Sequence, residues 1–303
     1  TNHIDAVAVL DSNYIAIGDR DDKITFLDVT DFQNIDTLKT VNVEWPWRFE
    51  VVDSSYLFAP TYSGSYAYSV ISLADTSVVY QETLPNGYDS YLASESDDSY
   101  LYLSNHLGIE VFDISNPSSP SYMNVIEHGF PTSPYGFSLS GDTLYPLSTV
   151  GVIAQDINDI ANPIELGSLN MNDGSASEID MLGDTAFVLT DGGYGYDVGI
   201  NIIDLTNPAS PNEISFIRQE FILRYGGDLI ITKRASSGSY LYTIGGISTS
   251  SNAGVIYDSL IVYDVSDLSN INRVSSVANM LNSQNISIVS NGDYIFIASI
   301  NHV

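Results

Sequence analysis

Three short stretches carry side chains whose types and spacing could do chemistry. W-P-W-R at 45–48 sets two indoles either side of a proline and next to a guanidinium, giving Trp45, Trp47 and Arg48. A flat aromatic ring with a polar edge covers a sugar face or a protein side chain equally well. Tyr88, His128, Tyr194 and Tyr196 extend the same chemistry along the chain. D-R-D-D-K at 19–23 and D-G-G-Y-G-Y-D at 191–197 crowd Asp19, Asp21 and Asp22, and Asp191 and Asp197, into loop-forming sequence. Hard cations such as calcium take oxygen cages of this kind, with glycine allowing the sharp backbone, although neither stretch follows the full EF-hand spacing. The plainer alternatives are an aromatic plug between two structural repeats and solvated turn aspartates. Paired carboxylates for glycoside hydrolysis would come from Asp5, Asp89, Glu178 and Asp180. The sequence holds no G-x-S-x-G elbow, no H-E-x-x-H and no phosphate-binding glycine loop with lysine.

The elements that position these residues are read from composition first. The 303 residues are 44% hydrophobic, enough for a large core, and exceed the usual size of one simple domain, so a fold that grows by repetition is expected. The net charge of −29 comes from 38 acids, 28 of them Asp, against 9 bases. Asp favours turns because its short carboxylate bonds nearby backbone N–H groups. So negative a surface repels phosphate backbones, which argues against a nucleic-acid partner. No cysteine is present, which excludes disulfides and thiolate chemistry. No apolar run reaches the length of a membrane span, and the composition predicts an extracellular or cell-surface protein.

The chain repeats itself. D-I-S-N-P-S-S-P at 113–120 returns as D-L-T-N-P-A-S-P at 204–211, and a strand-final acid recurs at Asp28, Asp113, Asp156, Asp204 and Asp264. V-I-S-L-A-D-T at 70–76 fills the long first gap, with Ser72 where the acid should stand. Each copy offers four short runs of β-formers separated by turn residues, and nothing shows a helical stripe. A period in the low forties with four strands predicts an all-β fold, a β-propeller of four-stranded antiparallel blades, because such a small sheet buries both faces only between neighbours. The expected blades are 3–44, 48–85, 88–128, 135–171, 177–218 and 220–280, within a single domain spanning 1–303. A partial seventh at 285–303 matches only the first two strands, so a seven-bladed ring completed by further polypeptide is expected, with a six-bladed ring and an extra hairpin as the alternative. The repeated acid and prolines make the corner from the third to the outer strand. Blade 6 carries an expected long loop insertion at 245–258.

The pattern S-Y-L-Y-L-S-N-H-L-G-I-E-V-F-D-I-S-N-P-S-S-P-S-Y-M-N at 99–124, echoed by G-I-N-I-I-D-L-T-N-P-A-S-P at 199–211, resembles the LVIVP-repeat β-propellers. That resemblance is good in blades 3 and 5 and weak in blade 2, and it implies a propeller at the cell surface or outside the cell without supplying a catalytic motif. The expected role is a non-catalytic binding or structural module whose acidic, aromatic-rich loop face meets a protein or a glycan. Rival readings are a hydrolase with a central carboxylate site and a subunit of an extracellular assembly whose open last blade is completed by strand addition.

Overall fold

A computed structural model describes residues 4–62, 65–83, 92–97, 99–105, 107–127, 136–148, 151–171, 175–191, 199–218, 228–234, 238–248, 256–278, 286–290 and 292–299. They form two compact units, Thr1–Glu127 with Val289–Asn301, and His128–Ile288.

The first unit holds three antiparallel sheets, each of four strands in sequence order. Blade 1 is β1 (Ile4–Val9), β2 (Tyr14–Asp19), β3 (Lys23–Asp28) and β4 (Asp36–Asn42). Blade 2 is β5 (Glu50–Val52), β6 (Tyr56–Pro60), β7 (Tyr66–Ser72) and β8 (Ser77–Thr83). Blade 3 is β9 (Ala93–Ser96), β10 (Tyr100–Asn105), β11 (Gly108–Asp113) and β12 (Ser121–Ile126).

The second unit repeats the plan. Blade 4 is β13 (Phe137–Ser140), β14 (Thr143–Ser148), β15 (Gly151–Asp156) and β16 (Ile164–Asn170). Blade 5 is β17 (Ser175–Leu182), β18 (Thr185–Asp191), β19 (Gly199–Asp204) and β20 (Asn212–Arg218). Blade 6 is β21 (Asp228–Arg234), β22 (Gly238–Ser248), β23 (Ile256–Asp264) and β24 (Asn272–Ala278). The chain then adds a two-stranded sheet, β25 (Ile286–Ser290) with β26 (Ile295–Ser299), the first two strands expected of a seventh blade. In the first unit Phe32 rests against Tyr294 and Phe296, with ring centroids 4.6 and 6.1 Å apart.

Period-two alternation explains why the sheets need one another. In blade 2, Leu57, Ala59 and Ile71 pack with Ala16, Ile24 and Phe26 of blade 1. Their alternating neighbours Phe58, Tyr68 and Val70 pack with Leu101, Leu103 and Phe112 of blade 3. Blade 5 divides likewise: Ala186 and Val188 join blade 4, whereas Phe187 and Leu189 join blade 6. Both faces are apolar, so neither can be left in water without losing about 1.5–3 kcal/mol per large side chain.

The corners do what the repeat predicts. The strand-final acid accepts the N–H two residues on, Asp28 from Thr30, Asp113 from Ser115, Asp156 from Asn158, Asp204 from Thr206 and Asp264 from Ser266, at 2.8–3.0 Å. A second such turn follows three residues later at Asp31, Asp159, Asn207 and Asp267. The residue after the acid donates its N–H back to the turn between the first two strands, as Leu205 does to Asp184 at 2.8 Å, and tucks its side chain into the core. Blade 2 departs: Asp75, inside the corner, takes over from Ser72 and accepts both the N–H and the hydroxyl of Ser77. Its corner is four residues, 73–76, where every other blade uses seven.

Two features lay outside the sequence expectations. All six blades carry a β-bulge at one place between the third and outer strands, from Phe26/Leu27 in blade 1 to Val262/Tyr263 in blade 6. Within the expected loop at 245–258 the described residues are strand: Gly245–Ser248 pair with Ile256–Ser259 and lengthen the β22–β23 hairpin, while 249–255 lie outside the described residues. Ile247 stands opposite Tyr257 in the register, and both are residue types that favour strands.

Candidate functional site

The linker from β4 to β5, residues 43–49, crosses the end of blade 1 and meets the turns that join β2 to β3 and β6 to β7. Its path is set by backbone pairing. Val43 N–H donates to Asp22 O, Trp47 N–H to Pro60 O, and Tyr62 N–H to Trp45 O, at 2.9–3.0 Å. Asp22 adopts a left-handed φ of 61°, a conformation Asp tolerates, and its Oδ1 accepts Trp45 N–H at 2.9 Å. The Glu44 carboxylate takes the N–H groups of Ser65 and Tyr66 in the second turn. Gly18 is required beneath the linker, because a Cβ there would meet Pro46 Cγ at 2.8 Å and Phe49 Cζ at 2.9 Å.

This geometry gathers three rings. Tyr62 lies between Trp45 and Trp47, its centroid 4.8 Å from each, at tilts of 44° and 43°. Pro46 is buried, and all three aromatic residues are half-buried, so the group neither disappears into a seam nor stands free of one. Below it lies a charged pair. A bulge between Ile4 and Ala6 re-aims Asp5, whose two carboxylate oxygens accept Arg20 Nε at 2.7 Å and Nη2 at 3.0 Å. Asp5 Oδ2 also accepts Trp45 Nε1–H at 3.0 Å, and the Arg20 guanidinium carbon sits 5.1 Å from the Trp45 ring centroid. A cation held over an indole by a buried carboxylate fixes both planar groups.

Of the residues singled out by sequence, the structure joins Trp45, Trp47, Asp5, Asp19 and Asp22 in one neighbourhood. Arg48 follows in the same linker, half-buried, and its charge favours the ionised form of Glu50. Asp19 is buried and accepts Asp21 N–H at 3.0 Å; loss of water pushes its carboxyl up from the ordinary range. Asp21 and Asp22 are exposed, and among the described residues no three His, Cys, Asp or Glu are grouped as a metal site. Asp191 ends β18, and Tyr88, His128, Tyr194, Tyr196 and Asp197 lie outside the described residues, as does Asp89. Asp180 Oδ1 accepts Met181 N–H at 2.7 Å.

Sequence reading missed Arg20 and Glu50. Arg20 is one of only 9 bases, and the register that sets Ile4 opposite Asp19 brings Asp5 beside it. Glu50 accepts the Ser94 hydroxyl at 2.8 Å, and burial pushes its carboxyl up to about 7 against that bond and the charge of Arg48.

Four-stranded sheets repeated in this way define the chain as a β-propeller. Comparison with solved structures agrees on the fold. Kluyveromyces lactis Hsv2 aligns with 99% of this chain and 90% of its own at 10% identity and a TM-score of 0.64. A protein of unknown function from Desulfotomaculum acetoxidans DSM 771 aligns over 98% and 89% at 10% identity with a TM-score of 0.70. Hsv2 with its loop 6CD replaced by a Gly-Ser linker gives 11% identity over 99% and 90%, with a TM-score of 0.63. By sequence, the chain matches no family model and no curated protein. Among the described residues no helix is long and apolar enough to cross a membrane.

Proposed function

We propose that this propeller is a non-catalytic binding module of a secreted or cell-surface protein, of the LVIVP-repeat kind, and that it takes a glycan or protein partner on the Trp45–Tyr62–Trp47 cluster. The observation that carries this reading is the half-buried state of three rings already locked in place. Their backbones are pinned by the two turns, and Trp45 is pinned at both its main-chain and indole N–H groups. Rings immobilised beforehand lose little freedom when a ligand covers them, which is the condition for useful affinity from a small contact. The acidic surface supplies acceptors for hydroxyl groups around such a contact.

Trp45 and Trp47 are the only two tryptophans, so all indole emission reports this site. A panel of neutral oligosaccharides and surface-exposed peptides, titrated while emission is followed, is expected to give saturable quenching or a blue shift with one class. The change should vanish in Tyr62→Ala, which loses two ring contacts and some stability but keeps a cooperative melting transition well above the assay temperature. Emission indifferent to every compound, together with indoles inaccessible to a neutral quencher such as acrylamide, would sink the reading.

A further inference from the structure

The aromatic cluster does not end at its rings. The Arg20 guanidinium, its carbon 5.1 Å from the Trp45 centroid, continues the series of planar groups formed by Trp45, Tyr62 and Trp47. Arginine carries five N–H donors. Asp5 takes two of them, on Nε and Nη2, and so holds the guanidinium by one edge. The Asp5 side chain is wholly buried whereas that of Arg20 is 32% exposed, so the pair is anchored at Asp5 and reaches water at Arg20. The other three N–H groups, two on Nη1 and one on Nη2, have no acceptor among the described residues. One from each nitrogen lie parallel at the end of the guanidinium, a fork for two neighbouring oxygens.

Acceptors stand beside these donors. Asp21 and Asp22 follow Arg20 directly in the β2–β3 turn, and both are exposed. Asp22 commits Oδ1 to Trp45 N–H and keeps Oδ2, and Asp21 gives its N–H to Asp19 while its own carboxylate takes no bond from the described residues. Trp45 meets Arg20 through its ring and Asp22 through its backbone, so fork, carboxylates and ring surface share one site.

A hydroxyl both donates and accepts, whereas a peptide carbonyl only accepts. Neighbouring hydroxyls of a sugar therefore use the whole set. Their oxygens accept from the fork, their protons go to Asp21 and Asp22, and the C–H face of the sugar lies on an aromatic ring. An anionic ligand is disfavoured, because Asp5 already balances the guanidinium and the protein carries a net charge of −29.

We infer that Arg20 is the specificity-determining residue of the aromatic site, donating its outer fork to vicinal hydroxyls of a neutral sugar whose face covers the rings. This rests on the cluster being the binding site proposed above, and it selects the glycan over the protein partner.

The test follows indole emission of the whole chain with hexasaccharides of glucose, mannose and galactose, with their fully O-methylated forms, and with the peptides of the preceding panel. One hexasaccharide is expected to bind saturably, and its O-methylated form, which has lost its donors, about ten-fold or more weakly. Arg20→Lys keeps a cation against Asp5 but has no fork, and should weaken binding by about ten-fold or more. Asp21→Ala removes an exposed carboxylate outside the fold's own bonds, and should weaken binding by roughly three- to ten-fold with the melting temperature unmoved. A response to peptides but to no sugar would overturn this inference and leave the binding module standing. So would sugar binding that survives O-methylation or is undiminished in either folded variant, since stacking alone would then suffice. Emission indifferent to sugars and peptides alike would remove the binding site itself, and this inference with it.

Discussion

Blades 1 and 2 meet along one core but end differently at their two extremities. At one end a seven-residue linker is laid over the seam, with Pro46 buried and three rings crowded above the Asp5–Arg20 pair. At the other, a corner three residues short leaves a cleft spanned by a single lysine. Between them the strands keep the alternation and the bulge found in every blade. The contrast shows where a repeat architecture has latitude. Strands buried on both faces cannot change without cost to two seams, whereas connections can gain or lose residues, and their length decides whether a seam is capped or open.

Substitutions at the two ends test that contrast. The largest effect is expected of Asp5→Ala, which strands the Arg20 guanidinium and the Trp45 indole N–H together. Arg20 is 32% exposed against 0% for the Asp5 side chain, so the loss falls at about 2–4 kcal/mol by urea denaturation, below that of a fully enclosed pair. A loss under about 0.5 kcal/mol would show that the linker is held by its backbone alone. Gly167→Ala and Gly18→Ala come next, at about 1–3 kcal/mol each, because one drives a Cβ into Ala209 O and the other into Pro46. Gly18→Ala should also red-shift indole emission as the linker lifts, and Gly167→Ala should leave emission unmoved. Third is the pH profile of Glu50. Its folded value lies above its ordinary one, so its contribution is complete below about pH 4.5 and is lost as pH rises through about 7. Melting temperature should fall between pH 5.5 and 8.5 by the equivalent of roughly 1–2 kcal/mol after solvent screening, and Glu50→Gln should flatten that slope. Smallest is Lys39→Ala, expected within about 0.5 kcal/mol of the parent, since an exposed lysine bonding one carbonyl across an open cleft contributes little. A larger loss there would mean that the cleft end is as tightly closed as the linker end.

Much of the fold was legible because its signals are local. An acid followed two residues later by a backbone N–H it can accept, as Asp113 by Ser115, writes the corner into contiguous sequence, and two-faced apolar runs write the seams. The aromatic cluster was legible in part as composition, in W-P-W, but not as geometry, and Tyr62 joins it only through the fold. Nothing local says that Asp5, forty residues before Trp45, is re-aimed by a bulge to meet its indole. Gly245–Ser248 were read as loop because G-G-I-S resembles turn sequence, whereas their pairing with Ile256–Ser259 is set by register across the hairpin. The loss of the acid and prolines in blade 2 was visible; the volume it vacates depends on the facing strand of blade 1 and so was not.

The corner carboxylates have a consequence for how the molecule meets acid. Hydrogen bonds to their own turns hold Asp28, Asp75, Asp113, Asp204 and Asp264 below the ordinary carboxylate range. Each latch works only while ionised, so it supports the fold above about pH 4 and releases as pH drops through its own lowered value. Because the latch recurs from blade to blade, acidification loosens several corners of the molecule rather than one. Glu50 works in the opposite sense, its contribution fading as pH rises through about 7, so the corners and this seam answer to opposite ends of the pH scale.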